Sequence, residues 1–333
     1  MNIGFFELEN WEKEYFQKEM KDANLLFEDS PLKEDFPNLT GLEIIVIFIH
    51  SQITKEILDK MPNLKFITTM STGFDHIDTI ECKRRNIIVS NVPTYGESTV
   101  AEHTFALLLA ISRRIIESVA KTKRGEFMPN GLTGFELKGK TLGVIGVGSI
   151  GTNVIRIAKG FGMNVIAFKR TPDYVLEKEL SFKFVDINVL YQKSDIITLH
   201  LPYSKETHHI INEKAFSMMK KGVVIINTAR GGLIDSTALL NSLHEEKVRF
   251  AGLDVLEEEP LLQEERDILS KTFDKEKLMS VLEDHMLVNN PHVIVTPHNA
   301  FNSNEALHTI LQTTHENLVA FLNNTPLNTV SAC

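Results

Sequence analysis

A glycine-rich turn between a strand-like run and a helical pattern constrains the fold of this chain more than any other feature. Thr141–Ile145 is a continuous apolar run of strand length, and Gly146, Gly148 and Gly151 follow it with the spacing G-x-G-x-x-G. The first glycine suits a tight turn, the second lets a backbone approach a pyrophosphate, and the third permits close packing of helix and strand. The turn therefore predicts a dinucleotide-binding βαβ unit.

Strand-length apolar runs alternate with helical patterns along the whole chain. Runs that are apolar without interruption are typical of parallel strands buried on both faces, so the chain is expected to be an α/β protein. A long helical stretch at about Glu97–Lys123 separates two series of strands, and Leu261–Asn290 is charged and irregular, as in a helical insertion or a long surface loop. The predicted strands are Ile3–Leu8, Asn24–Phe27, Ile44–Ile49, Lys65–Met70 and Ile87–Val89 in the first series, and Thr141–Ile145, Asn164–Phe168, Ile196–Leu199, Val223–Asn227, Ala251–Val255 and Val293–Thr296 in the second.

Length and charge exclude several classes of function. A chain of 333 residues corresponds to about two domains. Its net charge of −9 argues against a nucleic-acid partner, because no basic face is available for phosphates. No apolar stretch approaches the roughly 18 residues that span a bilayer, so no membrane association is expected. With only two cysteines, a disulfide framework is not indicated, and a cytoplasmic location is expected.

Unusual polar residues stand at the ends of three predicted strands. Arg230 follows Ile226-Asn227-Thr228-Ala229 and precedes two glycines. Asp254 lies near the end of another predicted strand, with Glu257, Glu258 and Glu259 after it, and His298 follows the last strand. A guanidinium can hold a carboxylate through two hydrogen bonds, a histidine can exchange a proton, and an acid can tune that histidine. This combination is typical of hydride transfer at C2 of a small 2-hydroxy or 2-keto acid.

The predicted cofactor site departs from the usual pattern at one position. An acid about 20 residues past the glycines normally accepts the ribose hydroxyls of NAD, but Lys169 stands there and Arg170 and Thr171 follow. Two cations and a hydroxyl suit a 2′-phosphate, so NADP is slightly favoured over NAD. The alternative is that Lys169 and Arg170 form a solvated strand end while another residue supplies the acid.

With these motifs in this order, the chain resembles the D-isomer-specific 2-hydroxyacid dehydrogenase family over essentially its whole length, and within it most closely the D-lactate dehydrogenase branch. The matching segments are Ser71–Asp78, Val100–His103, the Gly146 turn, His200–Pro202, Asn227–Gly231, Asp254–Pro260 and Pro297-His298.

The resemblance implies two doubly wound parallel-sheet domains of the Rossmann or flavodoxin-like type with a cleft between them. The substrate domain would comprise residues 1–98 and 300–333, and the dinucleotide-binding domain residues 99–299. It also implies a homodimer, with a small 2-keto or 2-hydroxy acid as the partner in catalysis.

The resemblance further implies roles for individual residues. Arg230 would bind the substrate carboxylate and keto oxygen, His298 would donate and accept the proton, and Glu259, just before Pro260, would pair with His298. Thr72, Gly73 and Tyr95 would contact the substrate, and Asp254 would lie at the nicotinamide carboxamide. No metal is expected. The predicted cofactor contacts are Gly146, Gly148, Ser149, Ile150, Gly151, Lys169, Arg170, His200, Pro202, Thr207, Thr228, Ala229 and Asp254.

Two alternatives to a D-lactate-type reductase stay open at this point. A related enzyme could act on glyoxylate or hydroxypyruvate, and a nucleotide-sensing scaffold, as in the C-terminal binding protein corepressors, shares the same fold. Two histidine segments are expected to be structural. His103 lies in an apolar helical run and is predicted to be a packing residue. His208-His209, before Glu213, is predicted to lie in a surface turn.

Overall fold

The structure is a computed structural model that describes residues 1–21, 23–257 and 275–330. The chain divides into two units. The first comprises Met1–Tyr95 together with the part of the chain that begins at Asn302, and the second comprises Gly96–Phe301. Among the described residues, none of the helices has both the length and the apolar character that a membrane span requires.

The first unit contains a five-stranded parallel sheet with the order β2-β1-β3-β4-β5. The last helix packs against this sheet, where its Phe321 stacks on Phe66 at a centroid distance of 4.3 Å. The strands are β1 Asn2–Phe6, β2 Asn24–Glu28, β3 Ile44–Ile47, β4 Phe66–Thr69 and β5 Ile88–Ser90, and the helices are α1 Asn10–Glu19, α2 Lys55–Asp59, α3 Thr79–Arg84 and, at the C-terminal end, α12 Asn304–Leu322.

The second unit contains a seven-stranded parallel sheet with the order β12-β11-β10-β9-β6-β7-β8. Its strands are β6 Thr141–Ile145, β7 Asn164–Phe168, β8 Lys183–Phe184, β9 Ile196–Leu199, β10 Val223–Asn227, β11 Val248–Leu253 and β12 Val293–Val295. Its helices are α4 Glu97–Ser112, α5 Ile115–Lys123, α6 Ser149–Gly160, α7 Tyr174–Glu179, α8 Ile187–Lys193, α9 Glu213–Met218, α10 Ser236–His244 and α11 Lys275–Val288.

The predicted fold class, two doubly wound parallel-sheet units, is confirmed, but the long helix expected over Glu97–Lys123 is interrupted. Arg114 adopts φ +52°, which ends the first helix and starts the second. A later segment of the chain explains the break. The Phe135 amide donates to the Ser112 carbonyl at 2.9 Å, so this carbonyl has a partner outside the helix. A Cβ at Gly134 would lie 2.0 Å from the same oxygen, so only glycine allows this approach.

The strand order of the larger sheet indicates the edge at which a ligand can bind. The chain leaves β6 toward β7 on one side and later returns to β9 on the other, so β6 and β9 are neighbours at a topological switch point. In open parallel sheets, ligands bind outside the carboxyl ends of the strands at such a point. The carboxyl ends of β6 and β9 lead directly into Gly146 and His200.

Candidate active site

The turn after β6 has the geometry that a bound pyrophosphate requires. Gly146 has φ +98°, and a Cβ there would lie 2.3 Å from the His200 carbonyl oxygen. A Cβ at Gly151 would lie 2.1 Å from the Gly146 oxygen, whereas a Cβ at Gly148 would have no atom within 4 Å. Gly148 is the N-cap of α6 and offers no side chain to the amides of the first turn. Those amides, including the ones of Ser149 and Ile150, can therefore donate hydrogen bonds to an anionic group of a bound ligand.

The segment after β9 forms a wall beside this turn. The His200 ring shares a hydrogen bond with Thr198 Oγ1 at 2.9 Å, and desolvation lowers the pKa of His200 to about 3, so the ring is neutral at physiological pH. Further along, Thr207 Oγ1 donates to the Pro202 carbonyl at 2.8 Å and accepts from the Ser204 amide at 2.8 Å. These bonds fix the loop that carries the predicted contacts Pro202 and Thr207.

Lys169 lies next to the glycine turn. The Gly146 amide donates to the Phe168 carbonyl at 3.0 Å, and Ile145 pairs with Phe168 in the sheet, so Lys169 is the first residue beyond the strand. Within the part of the chain that the structure describes, neither Lys169 nor Arg170 forms a salt bridge. The Ser204 hydroxyl and, more weakly, the charge of Arg170 lower the pKa of Glu206.

Arg230 extends from the end of β10. The side chain of Asn227, which is buried, holds the turn in place because its Nδ2 donates to the Arg230 carbonyl at 2.9 Å and its Oδ1 accepts from the Ala229 amide at 3.1 Å. Arg230 Nη1 in turn donates to the Ala229 carbonyl at 2.8 Å. The neighbouring Thr228 is buried and shares a hydrogen bond with Thr104 at 3.0 Å.

Gly231 brings the end of β11 close to Arg230. A Cβ at Gly231 would lie 1.9 Å from the Leu256 carbonyl oxygen, so the chain after Asp254 passes directly over the glycine. Glu259 lies outside the described residues. Its predicted pairing with His298 therefore stays a prediction.

The Asp254 side chain is fully buried, and its oxygens accept hydrogen bonds from the loop that carries His298. Oδ1 accepts from Thr296 Oγ1 at 2.5 Å and from the Asn299 amide at 3.0 Å, while Oδ2 accepts from the Ala300 amide at 2.9 Å. A carboxylate with three donors is well satisfied although it is buried. Asp254 thus positions the 296–300 loop, and its predicted contact with the nicotinamide carboxamide stays a prediction.

His103, which the sequence suggested to be a packing residue, takes part in the same network. Its Nε2 lies 3.1 Å from Thr296 Oγ1 and 3.4 Å from Asp254 Oδ1. Because the Thr296 hydroxyl donates to Asp254, it accepts from His103, and Nε2 of that ring therefore carries a proton. No signal in the sequence connected these residues, since they come from α4, β11 and the end of β12.

His298 lies on this supported loop in an unusual backbone conformation. Its φ is +49°, in the left-handed region, and its amide lies within hydrogen-bond distance of both the Asp254 carbonyl and the Thr296 carbonyl, each at 2.9 Å. Non-glycine residues adopt this region only where the surrounding structure holds them there. The side chain is half-buried at the carboxyl edge of β12. Arg230, Asp254 and His298 thus follow three adjacent strands, at the same edge of the sheet as the Gly146 turn.

The predicted substrate contacts of the first unit follow β4 and β5. Thr72 Oγ1 donates to the Val92 carbonyl at 2.9 Å, and the Thr72 carbonyl accepts from Asn91 Nδ2 at 2.7 Å. Ser71 Oγ donates to the Gly73 carbonyl at 2.7 Å. The backbone of Thr72 and Gly73 is therefore held in a fixed turn, and Tyr95 is half-buried at the end of this part of the unit.

His208, His209 and Glu257 form a cluster that the sequence did not predict, because Glu213 was the neighbouring acid in sequence. One ligand atom from each residue lies within 4.8 Å of the others, a spacing that a metal ion could bridge. His209 Nε2 already lies 2.5 Å from Glu257 Oε1, and the two imidazole rings stack at 3.8 Å. This hydrogen bond connects the loop after β9 to the segment after β11.

A model of one protein family matches residues 105–300, and its description is "D-isomer specific 2-hydroxyacid dehydrogenase, NAD binding domain". The chain is 36% identical over 326 residues to the D-lactate dehydrogenase of Escherichia coli, and the matched region covers 96% of each chain. It is 37% identical over 287 residues to the glyoxylate reductase of Thermococcus litoralis, which covers 84% of this chain and 80% of the relative.

A solved structure with a similar fold is that of D-lactate dehydrogenase from Aquifex aeolicus in complex with NAD and lactic acid. The two chains superpose with a TM-score of 0.87 at 36% identity, and the match covers 97% of this chain and 96% of the Aquifex chain. Together with the glycine turn and the residues at the carboxyl edge of the sheet, these matches establish that this chain belongs to the D-isomer specific 2-hydroxyacid dehydrogenases, which are NAD(P)-dependent oxidoreductases.

Proposed function

We propose that this dehydrogenase reduces a small 2-keto acid of the pyruvate type to the D-2-hydroxy acid, with Arg230 and His298 as catalytic residues and Glu259 as the partner of His298. The observation that carries the proposal is the alignment of Arg230 and His298 at one sheet edge, with the buried Asp254 supporting the loop of His298. The similarity to two D-lactate dehydrogenases supports this substrate class.

The proposed roles follow from the chemistry of the side chains. The nicotinamide, when bound, donates or accepts the hydride. Arg230 binds the substrate carboxylate through two parallel N–H groups, a geometry that suits a planar oxyanion. The imidazole of His298 donates a proton to the oxygen at C2 during reduction and takes it back during oxidation. Thr72, Gly73 and Tyr95 are proposed to contact the substrate, the first two through their fixed backbone turn.

The first unit is accordingly proposed to be the substrate domain and the second the dinucleotide-binding domain. The contacts proposed for the dinucleotide lie in the second unit. The pyrophosphate would meet Gly146, Gly148, Ser149, Ile150 and Gly151, the ribose would meet Lys169 and Arg170, and the other contacts would be His200, Pro202, Thr207, Thr228, Ala229 and Asp254.

A panel of 2-keto acids tests the substrate class. We expect pyruvate to give the highest kcat/KM among pyruvate, glyoxylate, hydroxypyruvate and longer 2-keto acids, with a D-configured product by chiral chromatography. A higher kcat/KM for glyoxylate or hydroxypyruvate would favour the second candidate, to which the similarity with a glyoxylate reductase points. An absence of turnover with every acid would favour the scaffold alternative, which the family match does not support.

The choice of cofactor is the finer part of the proposal, and we expect kcat/KM to favour NADPH over NADH. Lys169 lies beside the glycine turn without a salt bridge to any described residue, so its charge is available for a 2′-phosphate. A charge-assisted hydrogen bond contributes about 1.5–3 kcal/mol, and screening by salt reduces the gain at an exposed site. We expect Lys169→Asp to reverse the preference, because an acid there accepts the ribose hydroxyls and repels the phosphate.

The measurement is kcat/KM for both cofactors at fixed ionic strength. Lys178→Asp, on the exposed side of α7, is the matched control for the change in charge and should leave the ratio unchanged. A wild-type preference for NADH of about tenfold or more would mean that Lys169 is only a solvated strand end.

A homodimer is also proposed, through the surface formed by α5 and the segment after it. No residue of α5 is buried, and five large apolar side chains lie on this surface: Ile115, Ile116, Val119, Phe127 and Met128. A patch of this kind is typical of an interface. The same segment of the chain carries charges of both signs, namely Glu117, Lys121, Lys123, Arg124 and Glu126, so a second copy in two-fold arrangement can meet complementary charges.

We expect the wild-type protein to have twice the 37.7 kDa mass of the chain in light scattering, and Phe127→Asp to shift it toward the monomer. Phe127 is 79% exposed, and Val175 on α7 is exposed to the same extent, so Val175→Asp is the matched control. If wild type is monomeric, or if both variants behave alike, this surface is not the interface.

A further inference from the structure

A cavity of about 160 Å³ lies at the edge of the seven-stranded sheet opposite to the candidate active site. The residues around it lead into the strands instead of following them. Lys140 precedes β6, Asp195 precedes β9, Lys220 and Lys221 precede β10, and Arg249 is the second residue of β11. Because the strands are four to six residues long, with a rise of about 3.3 Å per residue, the cavity lies on the order of 13–20 Å from the catalytic edge.

The lining of this cavity is strongly basic although the chain as a whole is acidic. Four of the lining side chains, Lys140, Lys220, Lys221 and Arg249, carry positive charge, and Asp195 is the single acid among the lining residues. The whole chain has a net charge of −9. A concentration of cations on such a background creates a local positive potential that attracts anions.

Asp195 cannot neutralise the four cations. Its Oδ2 accepts from the Thr141 amide at 2.8 Å and its Oδ1 from Lys220 Nζ at 2.9 Å. Partial burial acts to raise the pKa of Asp195, but these two donors hold it below its ordinary value. The carboxylate is therefore ionised, and both of its oxygens already accept hydrogen bonds. It balances Lys220 and leaves three cations.

The other three cations have weak partners or none among the described residues. Lys221 pairs with Glu246 at 3.5 Å, but both side chains are more than 70% exposed, and such pairs contribute little. The Arg249 guanidinium lies 5.4 Å from the centroid of the Phe250 ring, which Arg114 also approaches at 5.1 Å. Arg249 forms no salt bridge within the described ranges. The Lys140 ammonium likewise has no ion pair in that part of the chain.

We propose that this cavity binds a compact oxyanion with two or more negative charges, such as phosphate or the phosphate group of a small metabolite. Two cations without an ion pair among the described residues, together with the weakly paired Lys221, match a multivalent anion better than a monovalent one, and the guanidinium of Arg249 can hold two oxygens at once. The volume is about five times the ~30 Å³ that one water occupies in the liquid. It is below the roughly 300 Å³ of sites for larger ligands, which argues against a whole dinucleotide.

Thermal unfolding with phosphate or pyrophosphate tests the proposal, at an ionic strength held constant with sodium chloride. Saturating reduced cofactor is present, so that anions cannot act through the Gly146 turn. A ligand that binds the folded state raises Tm, and we expect a rise of a few degrees in the wild-type protein. The double variant Lys140→Gln/Arg249→Gln removes two cations of the cavity, and we expect the rise to disappear.

The matched control is Lys83→Gln/Lys178→Gln, which removes two exposed cations outside both the cavity and the proposed dimer surface and should keep the rise. Titration calorimetry with pyrophosphate should show at least a tenfold weaker affinity for the cavity variant than for the control. An equal rise in both double variants, or no rise in the wild-type protein, would overturn the proposal. The Tm of each variant without anion shows whether the substitutions themselves disturb the fold.

Discussion

Replacement of His298 by alanine is expected to lower kcat by about two to four orders of magnitude, the range typical of losing a general acid–base group. The imidazole lies at the carboxyl edge of β12, beside the strand ends that carry Arg230 and Asp254. Without it, the proposed proton donor for the oxygen at C2 is missing. Steady-state kinetics with pyruvate and with D-lactate should show the loss in both directions, because the same group serves as acid and as base.

His244→Ala is the matched control, because His244 is an exposed histidine at the end of α10. It should retain wild-type turnover. The Tm of His298→Ala must also be measured, since alanine has to adopt the same φ of +49° in the loop. Retention of more than about a third of wild-type turnover in a folded His298→Ala protein would remove His298 from the mechanism.

The strands of both sheets could be predicted from the sequence because parallel strands are buried on both faces. Ile44–Ile47 and Val223–Asn227 have no exposed residue, and such strands appear as unbroken apolar runs. The edge strand Lys183–Phe184 escaped prediction because it is two residues long and partly exposed. The strand predicted to begin at Ala251 begins at Val248, where the exposed Arg249 interrupts the apolar pattern.

The helix break at Arg114 could not be predicted for a different reason. Arginine is a good helix former, and neither glycine nor proline is present at the break. The break depends on Gly134 and Phe135, which lie about 20 residues away and pack against the end of α4. A local pattern cannot show an interaction that only the returning chain creates.

In the candidate site, too, the parts formed by neighbouring residues could be predicted from the sequence, and those formed by distant residues could not. The glycine turn is local, because β6, the turn and α6 are consecutive, and its spacing carries the geometry. The network of His103, Asp254 and Thr296 joins residues that are 42 and 193 positions apart. Its members become neighbours only because α4 lies near the ends of β11 and β12. The sequence therefore indicated His298 and Asp254, but not that Asp254, Thr296 and His103 together hold the loop of His298.

Arg230→Lys is expected to raise KM for 2-keto acids and to lower kcat/KM by about 10- to 150-fold. The loss corresponds to one charge-assisted hydrogen bond of about 1.5–3 kcal/mol, because lysine keeps the charge but cannot place two parallel N–H groups on a carboxylate. Asn227 holds the Arg230 backbone through its carbonyl, and this contact does not depend on the side chain at 230. The variant is therefore expected to fold normally and to bind the cofactor with unchanged affinity.

Arg84→Lys is the matched control, since Arg84 is an exposed arginine on α3, outside the candidate site and the proposed dimer surface. Initial rates over a range of pyruvate concentrations, at saturating cofactor, separate KM from kcat, and cofactor affinity is measured by fluorescence titration. If Arg230→Lys leaves KM for pyruvate unchanged, the guanidinium does not hold the carboxylate. A loss of cofactor affinity instead would place Arg230 at the dinucleotide, because a carboxylate contact acts only on the acid. The pair of measurements thus assigns the Arg230 charge to one ligand or the other.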